Sequence, residues 1–159
     1  MSALYADSRL WNASHIFQDR TEAGRALGEF MASRYEGQEQ TIVLAIPAGG
    51  VPVGLALSQR LKLPFDCLIV RKIQIPGNTE AGFGAMKDQG ARSVVVAVPT
   101  APLRSVRMVE ERVDAVYSLH VQQSGPFAVA NAYVHWYDLT REEVSALLEE
   151  KDTGEEGSA

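Results

Sequence analysis

Gly49 and Gly50 stand between an apolar run, Thr41 to Ile46, and a stretch whose apolar positions Val53, Leu57 and Leu61 recur at helical spacing. Pro47 ends a strand by removing a backbone donor. The two glycines permit φ > 0 and leave room for a ligand against bare backbone. Pro52 suits the first turn of a helix. A strand, a glycine pair and a helix start, in that order, aim free N–H groups and a positive dipole end at one place, where an anion can bind. Gly49, Gly50 and Val51 are therefore candidates for an anion cradle. A plain tight turn from strand to helix is the other reading of the same residues.

Arg71 and Lys72 fall near the end of a second apolar run, Phe65 to Ile73. In a parallel sheet, side chains at carboxyl strand ends face the same crevice as a glycine loop after a neighbouring strand. Two cations beside a helix N-terminus would suit a diphosphate; a solvated charged strand end is the plainer reading. Thr100 follows a third run, Ser93 to Val98, closed by Pro99. It could donate to a phosphate or cap the next helix. Glu80 could be a base or a carboxylate beside a metal, or an exposed acid of the turn Pro76-Gly77-Asn78. Tyr133, Trp136 and Tyr137 could stack on a base or pack as an aromatic cluster. His15, His120 and His135 have no metal-ligand spacing with one another or with Cys67. No protein metal site is expected.

These residues need elements to hold them. At 159 residues the chain has the length of one domain with a full core. Its composition is ordinary for a soluble globular protein. The net charge of −5 argues against a general nucleic-acid binder. Cys67 is the only cysteine, which excludes an intrachain disulfide, fits a reducing cytoplasm, and points to core packing. No signal pattern opens the chain and no apolar run reaches membrane-spanning length. A cytoplasmic protein with no membrane partner is expected.

Met1 to Ile16 has no clear period and reads as an irregular arm. Asp19 and Glu22 resemble a capping box before an amphipathic helix from Arg20 to Tyr35. The runs at Thr41, Phe65 and Ser93 read as buried strands, and Asp114 to Val121 as a fourth. Leu103, Val106, Val109 and Val113 share a helical face, and Thr140 with Glu143 caps a helix carrying Val144, Leu147 and Leu148. Strands separated by helices predict a single α/β domain over residues 1–150, a parallel sheet with helices on both faces. Residues 151–159 are acidic and apolar-poor, which predicts a disordered tail. One connection is irregular: Gln74 to Arg92 holds no convincing crossover helix.

The segments Phe17 to Gly24, Ala45 to Val53, Val70 to Glu80, Phe83 to Ala85 and Val94 to Pro102 together resemble, in order, the phosphoribosyltransferase-like proteins of the type I fold. The resemblance runs from about Ile16 to Glu150 and implies transfer of ribose 5-phosphate from phosphoribosyl diphosphate, as its magnesium complex, to a base. It implies a diphosphate cradle at Gly49, Gly50, Val51, Arg71 and Lys72.

Two departures matter. Ala48 stands where the family usually has arginine. Between Met86 and Lys87 the family would carry a central strand, two adjacent acids and a Gly/Thr-rich loop that holds the ribose and 5′-phosphate; none of the acidic pairs in this chain follows an apolar strand into glycines. Positioning the ribose and stabilising the departing charge supply most of such catalysis, so an impaired or inactive family member is expected. A non-catalytic module for phosphate, diphosphate or a nucleotide, and an internally deleted product without activity, are the alternatives. Loss of the central unit would place Ile42 to Ile46 beside Val94 to Val98 in one four-stranded sheet. Its bare apolar strands predict a homo-oligomer.

Overall fold

The computed structural model describes residues 2–68 and 90–156. In chain order its elements are β1 (Ala3–Ala6), a 3-10 turn (Ser8–Leu10), α1 (Arg20–Tyr35), β2 (Val43–Ala45), α2 (Gly50–Leu61), β3 (Phe65–Cys67), β4 (Val95–Pro102), α3 (Leu103–Glu110), β5 (Ala115–Gln122), a second 3-10 turn (Val129–Ala132) and α4 (Arg141–Glu156). The fold is mixed α/β, every strand pairing is parallel, and helices flank the strands. The residues gather into two compact units, Met1–Gln18 with Val70–Val134, and Asp19–Ile69 with His135–Ala159.

In the first unit the sheet order is β1-β5-β4. Ala115 of β5 lies between Ala3 and Val95, and Val116 between Leu4 and Val96. This central strand is buried from Ala115 to Val121. Val106 of α3 packs with Val94, Val113, Val116 and Val121, and Trp11, Leu103 and Val109 close around them. Each such side chain removed from water contributes on the order of 2 kcal/mol. The arm expected before Ile16 is partly a strand: β1 pairs along β5, and Tyr5 stacks on Tyr117 at 4.5 Å. Pro99 does not close β4, which runs on to Pro102. Among the described strands β4 lies at the edge of its sheet, where a residue without an N–H is tolerated, and the register passes from Val98 to Thr100 without pairing Pro99.

In the second unit Asp19 caps α1 by accepting the Glu22 N–H at 2.8 Å. The helix packs against α2 at very short range: a Cβ on Gly24 would collide with the Val53 carbonyl oxygen, so glycine sets how closely the two helices approach. Ala45, Val51, Leu55 and Phe65 form a core with Val144, Leu147 and Leu148 of α4. The Thr140–Glu143 capping box is reciprocal, with N–H bonds of 2.8 and 3.2 Å. β2 is not covered on both faces as its apolar run suggests. Ile42, Leu44 and Ile46 are 52%, 41% and 56% exposed, while Ala45 is buried.

Two further expectations change. β2 pairs with β3 and β4 with β5, so the described strands form a three-stranded and a two-stranded sheet rather than one sheet of four. Both hydrogen-bonding edges of β5 are taken, by β1 and β4. The tail from Lys151 does not fall outside regular structure, because α4 continues to Glu156. Lys151 Nζ donates to the Phe65 carbonyl at 3.2 Å, and Thr153 Oγ1 donates back to the Glu149 and Glu150 carbonyls, which tie that turn down.

Candidate anion site at the start of the second helix

The loop after β2 closes on itself before α2 begins. The Gly50 N–H donates to the Ile46 carbonyl at 3.1 Å and the Val51 N–H to the Ala48 carbonyl at 3.2 Å. Two of the N–H groups expected to face a ligand are therefore turned into the loop. The peptide between Pro47 and Ala48 is cis. Gly49, the N-cap of α2, has φ −63° and ψ −24°, a conformation open to any residue. Left-handed backbone is thus not the reason for glycine there. Its missing Cβ gives room instead: a Cβ at position 49 would lie 3.5 Å from Nε and 3.8 Å from Nη2 of Arg20.

Arg20 is the first residue of α1 and only 7% exposed. Its guanidinium carbon lies 3.9 Å from the centroid of the Trp136 ring and 5.7 Å from that of Tyr137. Among the described residues no carboxylate forms an ion pair with it. A desolvated cation–π contact is worth about 2 kcal/mol, whereas taking a charge out of water costs several kcal/mol after relaxation. The positive end of α1 raises that cost further. The arrangement favours an anion beside Arg20.

Sequence reasoning points to this loop but misses the arginine beside it. The available signal was a basic residue in the first turn of a helix, where carboxylates are the favoured charge. Nothing in the sequence says that it folds back onto Gly49. Tyr133 is buried against Phe17 in the first unit, with ring centroids 5.7 Å apart. The Trp136 and Tyr137 rings lie over Arg20 and are exposed on their outer sides.

Thr100 neither caps α3 nor stands at a strand end. Pro102 occupies the N-cap position, and Thr100 is buried inside β4 with its hydroxyl 2.7 Å from Nδ1 of His120. Burial holds the His120 imidazole below its usual pKa, with the Ala13 backbone acting in the opposite sense. Burial, then the Asp66 charge, pushes the Cys67 thiol up, which keeps it protonated and a poor nucleophile. Arg71, Lys72 and Glu80 lie outside the described residues, as does the Met86–Lys87 junction. Among the described residues no group of three or more His, Cys, Asp or Glu side chains could hold a metal ion. Among them, too, no helix is long and apolar enough to cross a membrane.

No family model matches the chain. Over 77 residues, 48% of its length, it is 39% identical to two proteins of Mycobacterium tuberculosis strains, named "Putative phosphoribosyl transferase MT0597" and "Putative phosphoribosyl transferase Rv0571c". The match spans only 17% of those relatives' length. Among solved structures, that of TT1426 from Thermus thermophilus superposes with a TM-score of 0.69 at 25% identity, covering 84% of this chain and 98% of that one. Over those 77 residues the chain is thus similar in sequence to two proteins named as putative phosphoribosyl transferases, and in fold it is similar to TT1426.

Proposed function

We propose that the chain is a phosphoribosyltransferase-family protein that binds the phosphate or diphosphate part of its ligand at the β2–α2 loop and, as it stands, does not transfer ribose 5-phosphate. The observation that carries the first half is the junction itself, where β2 runs through Gly49 into the positive end of a twelve-residue helix. The similarity to proteins named as putative phosphoribosyl transferases supports a phosphorylated ligand there. The second half rests on the sequence, which has no acidic pair leading from a strand into a Gly/Thr-rich loop to clamp a ribose phosphate. Binding without the clamp leaves the reacting carbon unpositioned.

Magnesium enters this reading as a counter-ion of the diphosphate. Titration calorimetry with diphosphate, with and without magnesium, should give a saturable signal. Incubation with phosphoribosyl diphosphate, magnesium and a panel of purine and pyrimidine bases should release no diphosphate above the buffer rate. Enzyme-dependent release would overturn the inactive reading, and a folded protein that ignores millimolar diphosphate would overturn the binding one.

A further inference from the structure

We infer that Arg20 is the cation of the β2–α2 loop, gripping a phosphoryl group of the ligand with its Nε–Nη2 edge while Trp136 holds one face of the guanidinium. The inference rests on the preceding reading that this loop takes a phosphorylated ligand, and adds the residue that does the holding. The side chain is more than nine-tenths buried and, among the described residues, unpaired with any carboxylate. Asp19, the adjacent acid, spends one oxygen on the Glu22 N–H. Two helix N-termini, those of α1 and α2, add positive potential on the same side, because Arg20 opens one and Gly49 caps the other.

The geometry selects the donor edge. The Trp136 ring, 3.9 Å from the guanidinium carbon, covers a face and leaves the in-plane N–H groups available. Nε and Nη2 form the side-on fork that matches two oxygens of a phosphoryl group. Those same two atoms lie toward Gly49, where the absent Cβ keeps the approach open. Gly50 has open space around its own missing Cβ, so the room extends along the loop. Ala48 brings no charge to the loop. With the Gly50 and Val51 N–H groups bonded inside it, the guanidinium is the charged donor beside the loop that can meet an anion.

Calorimetry at low ionic strength, with inorganic phosphate and then diphosphate as probes, separates the possibilities. Arg20→Gln should weaken diphosphate binding at least tenfold, while Arg104→Gln, which removes an exposed charge on α3, should change it less than twofold. Gly49→Ala keeps the helix conformation and places a methyl in ordinary contact with Nε, in the space the anion would use. It should weaken binding severalfold, and it carries the test if Arg20→Gln does not fold. Wild-type binding that persists unchanged in both variants would overturn the role of Arg20 and leave the proposed ligand class standing. Binding of phosphate that depends on Arg20, with no binding of diphosphate, would overturn the ligand class and leave the Arg20 site. No binding of either anion by the folded protein would overturn both.

Discussion

The Thr100 hydroxyl lies 2.7 Å from Nδ1 of His120, inside a sheet where the β5 partner residue is 2% exposed. The two residues are also register partners across β4 and β5. A threonine that could have offered its hydroxyl to a phosphate is instead bonded to one nitrogen of a buried imidazole. Burial disfavours the charged form of that imidazole, so its folded pKa falls below the unfolded value near 6.5.

That direction fixes a pH dependence. Between the unfolded pKa and the lower folded one, the unfolded chain binds more protons at this site, so stability rises with pH. The contribution is fully present above about pH 6.5 and is lost as pH falls through the window below it. Chemical denaturation at pH 7.5 and 5.5 should show a loss for the wild type and a smaller loss for His120→Gln. Thr100→Val, which leaves Nδ1 without its partner, should cost about 1–3 kcal/mol at pH 7.5. Equal pH slopes in wild type and His120→Gln would refute the assignment.

Gly24 gives a sharper packing test. A methyl there would collide with the Val53 carbonyl oxygen and lie 2.9 Å from the Ala56 Cβ, neither of which is the end of a flexible chain. The helices must part to admit it. Gly24→Ala would ordinarily gain about 1 kcal/mol of helix propensity, and here overpacking should outweigh that and leave a net loss of about 1–3 kcal/mol. A thermal melt that rises for Gly24→Ala would show that α1 and α2 are free to separate.

Elements with a period or a cap were legible in the sequence. Asp19, Thr140 and Glu143 announce helix starts, and the structure forms those bonds. β1 was not legible, because the four apolar, half-buried residues Ala3 to Ala6 are too short a run to set a period, and only pairing with β5 makes them a strand. Around β2 the failure has another cause. All of Ile42 to Ile46 is apolar, so the sequence cannot show which face is covered. The Arg20 site was illegible because it joins three distant parts of the chain, α1, the Gly49 loop and Trp136, and no local pattern encodes a contact between them.

The exposed face of β2 leads to the last expectation. Ile42, Leu44 and Ile46 alternate with partly or fully buried Val43 and Ala45, so three large apolar side chains project from one side of a short strand. Isolated apolar residues on a surface need no explanation, but a contiguous row of them beside a strand edge is a pairing and association site. The expected outcome is self-association of the chain through this face, with burial of that row as the driving term. Light scattering across micromolar concentrations should show a mass above that of one chain. Ile42→Lys with Leu44→Lys should move it toward the monomer without unfolding the protein, because Val43 and Ala45 still face the core. A wild type that stays monomeric and binds no hydrophobic dye would show that this row is tolerated as bare surface.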